Sequence, residues 1–185
     1  MARLPSNITL EIEEVSQTID QSWLKGITDE QTLEAVGQAT IDYIRDRASK
    51  GLGLGRETMK PTKYSESYQK SADFKAAGKS ASPVNMRLSG DMLGSIDLAI
   101  DGDKLLIGIP SEESPKAHGH MTGQEGSGNL PKRQFFGVTK KEFDEILKKV
   151  APIAQRTRQR SRSANEFEEI LGAINTLGDL FRLGG

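Results

Sequence analysis

His118 and His120 are the only histidines in the chain, and residues two apart in an extended segment point the same way. Such a His-x-His pair can bind zinc if Glu112, Glu113 or Glu125 supplies a third ligand. The chain has no cysteine, which excludes disulfides and thiolate zinc sites. Because no second histidine cluster exists to complete the coordination, we predict a solvated loop or a backbone-capping role here, with no metal site and no cofactor.

A hydrolase needs a nucleophile beside a base, and Ser111 and Ser114 lie close to His118 in the sequence. In a serine-rich loop such a pairing arises by chance. Four carboxylates have the positions of cap and turn residues rather than of an acid pair, namely Asp91, Asp97, Asp101 and Asp103. We therefore expect that the chain is not an enzyme.

A better candidate for a contact with another molecule is a run of arginines at every second position, Arg156, Arg158, Arg160 and Arg162. In an extended chain these side chains form one basic edge that can contact DNA phosphates, whereas on a helix they cannot share a face. A solvated linker or a clamp on an acidic neighbour explains the run at least as well. Aromatic residues do not alternate with the arginines, so the run does not predict base reading.

The length of 185 residues allows one domain, or one domain plus an appendage. Hydrophobic residues make up 35% and mean hydropathy is −0.51, which indicates a modest core. The net charge is −1, but residues 7–46 hold nine acidic and two basic side chains, while 130–162 hold ten basic and three acidic ones. Such opposite charges suit head-to-tail contacts between copies, and pairing within one chain explains them equally well.

Apolar stretches in this sequence are short. None approaches the roughly 20 residues that span a bilayer, and the N-terminus has no apolar run of signal-peptide length. We expect a soluble protein that is made in a cytoplasm and has no membrane partner.

Two runs of alternating apolar residues flank Asp101-Gly102 and predict a β-hairpin over 95–109. Near Glu13 the apolar period changes from two to four, which predicts that a short strand runs into a helix, with one continuous helix as the alternative. The residues that carry this change are Ile8, Leu10, Ile12, Val15, Ile19 and Trp23.

Apolar residues recur three and four apart over 28–49, 139–155 and 164–182, which predicts three amphipathic helices. Capping boxes mark their starts, at Thr28–Gln31, Thr139–Glu142 and Ser163–Glu166. Segments 51–83 and 110–130 lack such a period and are predicted to be long loops or arms.

Together these elements predict an α+β fold in which a small antiparallel sheet is covered by helices. We expect one domain over 1–155, a basic linker at 156–163 and an appended C-terminal helix within 164–185. The apolar face of that helix is expected to dock on a neighbouring subunit through Phe167, Ile170, Leu171, Ile174 and Phe181.

Four segments, taken in order and spacing, resemble one protein family over roughly residues 28–150. Met86 to Ile96 is similar to a Leu-x-x-(Thr/Ser)-Gly-x-Leu-x-x-Ser-Ile box, and Ala117 to Gly123 to an Ala-x-x-His-x-x-Gly stretch. Pro131 to Gly137 resembles a Pro-x-Arg-x-Phe-Leu-Gly motif, and residues 64–70 resemble the segment before the box. These features are typical of the virion-morphogenesis or tail-completion family of tailed bacteriophages.

The resemblance implies a non-enzymatic structural protein at the virion neck or tail end, which joins head to tail or terminates the tail. It is expected to assemble in the host cytoplasm as a ring, most often a hexamer, that contacts connector, neck and tail-tube proteins and also packaged DNA. Phe135 and Phe136 would anchor a core, Arg133 would be free to pair with an acidic partner at a subunit interface, and the two arms would order on assembly. The alternative is a small nucleic-acid-binding module that uses the arginine-rich linker.

Overall fold

The computed structural model describes residues 7–11, 13–86, 91–125, 128–150 and 152. It shows the predicted α+β fold, in which a four-stranded antiparallel sheet of order β1-β2-β4-β3 packs against helices and two further strands form a separate ladder. The strands are β1 (Ile8–Glu11), β2 (Glu14–Ile19), β3 (Asp97–Asp101), β4 (Lys104–Ile109), β5 (Gln124–Glu125) and β6 (Gly128–Asn129). The helices are α1 (Gln21–Leu24), α2 (Glu30–Ser49), α3 (Glu66–Gln69), α4 (Ala72–Ala76), α5 (Asp91–Gly94), α6 (Ser114–Thr122) and α7 (140–150).

The hairpin of β3 and β4 follows from its alternating sequence. Leu98 lies opposite Ile107, so the apolar side chains of both strands share one face of the sheet. The turn contains Gly102 with a φ of 59°, a value that glycine adopts without strain. The prediction of a hairpin over 95–109 is confirmed.

The short strand predicted at the N-terminal side is present as β1, but the helix predicted after it is wrong. Residues 14–19 form β2, in which Val15 pairs with Ile109 and Ile19 pairs with Leu105. A spacing of four fits a helix, and it also fits every second position on one face of a strand. The intervening position on that face is Gln17, which is polar yet fully buried, so it hides the two-residue period.

Helix α2 packs its apolar stripe on the sheet, as predicted. Its N-cap is Asp29, whose carboxylate accepts a hydrogen bond from the Thr32 amide at 2.9 Å, one residue later than the predicted capping box places it. Gly37 faces β3, and a Cβ at this position would lie 2.5 Å from the methyl carbons of Leu98. Glycine therefore allows the helix to approach the sheet closely.

Helix α7 begins at the predicted capping box. The Thr139 amide donates to Glu142 Oε2 at 2.8 Å, and the Glu142 amide donates to Thr139 Oγ1 at 3.3 Å. Its buried side chains, among them Phe143 and Leu147, join the core between α2 and the sheet. The predicted end of this helix at 155 and the whole predicted C-terminal helix lie outside the described residues.

The prediction that 51–83 is one long loop is wrong in part, because short elements fold there. A 3-10 turn covers Leu54–Arg56, and α3 and α4 are each capped by a serine side chain. The rings of Tyr64, Tyr68 and Phe74 pack together with centroids 5.3 to 5.4 Å apart. Tyr64 and Tyr68 are four residues apart, as in a short helical stripe, but so short a stripe did not outweigh the prediction of a loop.

The prediction of a loop over 110–130 is also wrong, because α6 occupies its first half. Pro115 lies in the first turn of α6, and Gly123 ends the helix with a φ of 83°. Both are ordinary helix-boundary residues, at the start and just past the end. Ala117 and Met121 are fully buried, and this single pair was too short a stripe to predict the helix.

Candidate functional site

The two histidines lie on a helix and not in an extended segment, which removes the geometric basis of the His-x-His hypothesis. Residues two apart on α6 are rotated by about 200° from each other, so His118 and His120 do not point the same way. In the described part of the chain, the structure contains no group of three or more His, Asp or Glu side chains placed to hold a metal ion.

Ser114, one of the two serines considered as a nucleophile, instead joins two strands. It is fully buried, and its hydroxyl accepts a hydrogen bond from the Val15 amide at 3.0 Å and donates to the Ile109 carbonyl at 3.1 Å. Both hydrogen-bonding roles of the hydroxyl are thereby used. Ser114 holds the start of α6 against the ends of β2 and β4.

The Phe135-Phe136-Gly137 segment enters the core as predicted, since both phenylalanines are fully buried. Gly137 has a φ of 83°, and a Cβ there would lie 2.5 Å from Ile8 Cδ1. The next residue, Val138, is bound by the buried side chain of Gln17. This side chain accepts a hydrogen bond from the Val138 amide at 2.8 Å and donates one to the Val138 carbonyl at 2.9 Å. The glutamine thus pairs with the backbone as a neighbouring strand would.

Arg47 and Glu142 form a buried ion pair behind this segment, with Arg47 Nη1 2.9 Å from Glu142 Oε1. Arg47 Nη2 donates to the carbonyl oxygens of Phe135 and Gly137 at 2.7 and 2.8 Å. Glu142 also accepts from the Tyr43 hydroxyl at 3.0 Å. One hydrogen-bond network therefore connects helix α2, helix α7 and the segment 135–137 that precedes α7.

The expectation that Arg133 is free at the surface is wrong. Its exposed fraction is only 8%. Its Nε atom is buried without a hydrogen-bond partner, and none of the described carboxylates forms an ion pair with it. Burial lowers the pKa of the guanidinium, although an arginine stays charged at neutral pH. A largely buried cation without an ion pair is unfavourable, and this points to the surroundings of Arg133 as the candidate site.

Arg133 lines a cavity of about 700 Å³ between α6, Met92 of α5, the segment 130–133 and the segment 61–86. The segment 61–86 is called the arm. A cavity of this volume falls in the range of small-molecule sites, roughly 300 to 1,000 Å³. The apolar lining consists of Pro61, Tyr64, Tyr68, Val84, Met86, Met92, Leu130 and Pro131. The polar lining consists of Lys63, Ser65, Lys79, Glu113, Lys116, His120 and Arg133.

Tyr64 holds the two ends of the arm together and also positions a cation of the cavity. Its backbone amide donates to the Ala81 carbonyl at 3.1 Å, and its hydroxyl donates to Asn85 Oδ1 at 3.0 Å. Lys79 Nζ donates to the same hydroxyl at 3.1 Å and lies 4.7 Å from the Tyr64 ring centroid. The single carboxylate among the described lining residues, Glu113, is paired with Lys116 at 2.8 Å. The cavity is therefore basic as well as aromatic.

His120 is expected to make the fold less stable as the pH falls from about 6.5 to about 4. Burial, together with the nearby charges of Arg133 and Lys79, lowers the pKa of His120 to about 4. Between that value and the ordinary pKa, the unfolded chain binds a proton that the folded chain does not, so stability is lost by up to about 1.4 kcal/mol per pH unit. Urea unfolding across this window, compared between wild type and His120→Gln, measures the effect.

The control for this prediction is His118→Gln, because His118 is on the same helix and does not line the cavity. We expect the His118 variant to keep the wild-type loss between pH 6.5 and 4 and the His120 variant to show less of it. Equal pH profiles for wild type and His120→Gln would contradict the assignment.

The sequence did not predict this cavity, because its walls come from separate parts of the chain. The usable signals were the aromatic residues of the arm and Arg133, and neither has a spacing that indicates a shared site. The other proposed contact residues, Arg156, Arg158, Arg160, Arg162, Phe167, Ile170, Leu171, Ile174 and Phe181, lie outside the described residues.

Within the described ranges, every helix is too short or too polar to cross a membrane. Comparisons with protein-family models, with curated proteins and with solved structures find no match for this chain.

Proposed function

We propose that the chain is a structural subunit of a tailed-bacteriophage virion, namely a neck or tail-completion protein that assembles into a ring. The observation that supports this proposal is that three of the four segments that carry the resemblance, 86–96, 117–123 and 131–137, meet in one core. Leu93 and Ile96 come from the first segment, Met121 from the second, and Phe136 from the third. The Phe136 amide lies 3.5 Å from Met121 Sδ, which joins the second and third segments directly.

The side chains of these motifs therefore pack against each other and against the sheet. Motifs of this kind preserve the shape of a subunit, and shape is what a ring component must supply to its neighbours. Two residues of the third segment have such a structural role. Gly137 allows Ile8 to approach the backbone closely, and the carbonyl of Phe135 accepts a hydrogen bond from Arg47. We accordingly propose an assembly role and no enzymatic activity.

The exposed charges support contacts between unlike surfaces. Part of the charge is paired within the chain, as in the 2.7 Å contact of Lys25 with Asp144. Exposed carboxylates nevertheless remain at Glu11, Glu13, Glu14, Glu30 and Glu34, and exposed lysines at Lys132, Lys141, Lys148 and Lys149. Head-to-tail contacts in a ring join two different surfaces of the subunit, and opposite charges steer such contacts.

In this proposal a hexameric ring contacts the connector, neck and tail-tube proteins at the head–tail joint. The predicted helix over 164–182 docks on a neighbouring subunit through the apolar side chains from Phe167 to Phe181. The arginines from Arg156 to Arg162 face packaged DNA or an acidic interface.

The proposal is tested by deleting the gene from the phage that carries it and supplying variants in trans. Deletion is expected to leave unjoined heads and tails, and the wild-type chain is expected to restore infectious particles. The double variant Phe167→Asp/Leu171→Asp is expected to reduce the titre at least tenfold, since it places two charges on the predicted docking face. Electron microscopy and plaque counts measure both effects.

The matched control is Asn165→Asp/Thr176→Asp, which adds the same groups to the opposite side of the same predicted helix. We expect this control to restore wild-type titres. Joined particles in normal numbers after the deletion would contradict the proposed function. Full rescue by Phe167→Asp/Leu171→Asp would contradict the docking helix alone.

A further inference from the structure

The cavity beside Arg133 has the construction of a ligand site, independently of any role in assembly. Separate parts of the chain form its walls, namely the arm, Met92 of α5, the region of α6 and the segment 130–133. The arm is held in place by its own contacts, since Tyr64 bonds to Ala81 and Asn85 near the far end of the same segment. The cavity is therefore formed before any ligand arrives.

Arg133 is the residue that most needs an external partner. It is 8% exposed, its Nε atom has no hydrogen-bond partner, and the described residues offer it no ion pair. Removing part of a guanidinium from water without supplying an anion is unfavourable. A carboxylate or a phosphate would remove this cost, because each matches the planar fork of the arginine with two parallel hydrogen bonds.

The groups around Arg133 favour a negative charge as well. Lys79 and Lys63 line the same cavity, and Lys79 is held by the hydroxyl and the ring face of Tyr64. His120 also lines the cavity, and its Nδ1 atom is buried without a hydrogen-bond partner. Glu113 adds the opposing charge of one carboxylate, but Lys116 neutralises it.

The rest of the wall indicates what the anion is attached to. Tyr68, Met86, Met92 and Leu130 present aromatic, thioether and aliphatic surface to the cavity. Such side chains pack on flat or apolar groups, and methionine adapts to different shapes. A bare inorganic ion would leave this surface without a partner.

We propose that this cavity binds an organic anion, in which a carboxylate or phosphate group pairs with Arg133 and a planar or apolar body packs between the arm and Met92. The anion has two conceivable sources with the same chemistry. It is either a free small molecule or an acidic side chain presented by a second copy of the chain, many of whose glutamates are exposed.

The first experiment titrates the purified full-length protein with phenyl phosphate in a phosphate-free buffer and follows the heat of binding by calorimetry. Inorganic phosphate and phenol serve as comparison probes for the two halves of the ligand. We expect phenyl phosphate to bind more tightly than either, and Arg133→Met to weaken it at least about tenfold, the effect of losing a charge-assisted bidentate pair. Lys132→Met is the matched control, because Lys132 is exposed, adjacent in sequence and absent from the lining.

The stability of the variant gives a second readout. Because Arg133 is an unpaired buried cation in the free protein, Arg133→Met is expected to melt at the same temperature as wild type or higher in anion-free buffer. A residue kept for packing alone would show the reverse. A lower melting temperature combined with unchanged phenyl phosphate binding would overturn the proposal.

The source of the anion is distinguished by sedimentation of the free protein at low salt. If a second copy supplies the acidic group, wild type self-associates, Arg133→Met does not, and phenyl phosphate separates the copies. If the source is a small molecule, phenyl phosphate binds and the sedimentation of wild type and variant agrees. Absence of both binding and Arg133-dependent association would overturn the proposal, whatever the gene deletion shows about virion assembly.

A measurement on wild type alone covers the case in which Arg133→Met fails to fold. The chain has two histidines, so their side-chain NMR signals are few and can be assigned. Phenyl phosphate is expected to shift the ring signals of His120, which lines the cavity, and to leave those of His118 in place. Unchanged signals of His120 at saturating probe would contradict binding in this cavity.

Discussion

Arg47→Met is expected to destabilise the fold by about 3–5 kcal/mol, because it leaves a buried carboxylate without its cation. The side chains of Arg47 and Glu142 are 2% and 5% exposed, so water cannot replace the lost partner. The change also leaves the carbonyl oxygens of Phe135 and Gly137 without their donor. Urea unfolding of the purified variant, followed by circular dichroism, measures the loss.

Two comparisons test the cause of this loss. The double variant Arg47→Met/Glu142→Gln is expected to recover part of it, because the uncompensated charge is gone. Lys50→Met removes an ion pair with Asp46 in which both side chains are more than half exposed, so it is expected to change stability by no more than about 0.5 kcal/mol. Similar losses for Arg47→Met and Lys50→Met would contradict a central role of the buried pair.

The Arg47–Glu142 ion pair also makes the stability of the fold depend on pH. Burial acts to raise the pKa of Glu142, but Arg47 and the hydrogen bonds from Thr139 outweigh it and hold the pKa below its usual value. The stabilising contribution is therefore present above the ordinary glutamate pKa and is lost as the pH falls through the lowered one.

Phe136→Ala is expected to destabilise the fold by about 3–5 kcal/mol, the usual cost of emptying a fully buried aromatic position. Phe136 is fully buried in the core that joins α6 to the segment before α7, and its amide lies 3.5 Å from Met121 Sδ. Close packing of the surrounding core limits the collapse of the cavity left behind. Denaturant unfolding of the variant measures the change.

The control for this prediction is Phe74→Ala. Phe74 is also buried, but it packs with Tyr64 and Tyr68 in the arm and is not part of the main core. We expect a smaller loss of global stability and faster proteolysis within the arm, since local opening then precedes unfolding. A larger global loss for Phe74→Ala than for Phe136→Ala would show that the division into core and arm is wrong.

The parts of the fold that were predictable are those in which one local pattern decides the structure. Leu98 and Ile100 on one side of Gly102, and Leu105 and Ile107 on the other, recur at every second position, and this pattern predicts the hairpin. Helix α2 and the start of α7 were predictable because a long apolar stripe and a capping pair point to the same answer. In each case, tertiary contacts reinforce the local preference.

The elements that were missed depend on tertiary contacts that a local pattern does not contain. Gln17 faces the core because the backbone of Val138, more than 100 residues away, both donates to and accepts from its side-chain amide. Helix α6 carries glycine and histidine, which are weak helix formers, and it is held by Ser114 and Met121 against other elements.

The candidate site was even less accessible from the sequence. Arg133 lies in a basic stretch of the kind usually found at the surface. Its burial depends on the arm, which packs nearby and is distant in sequence. Tyr64 and Lys79 are far from Arg133 in sequence, and the cavity exists only because Asn85 and Ala81 close the arm onto Tyr64.

The central claim, that this chain is a structural component of a tailed-phage virion, is tested most directly by locating it in purified particles. Mass spectrometry of intact particles, combined with cryo-electron microscopy of the head–tail joint, measures its presence, its copy number and its position. The proposal predicts a single ring of this subunit at the neck or at the end of the tail tube. Complete absence of the chain from infectious particles would contradict it, and binding of the purified chain to random DNA with a steep salt dependence would then favour the nucleic-acid-binding alternative.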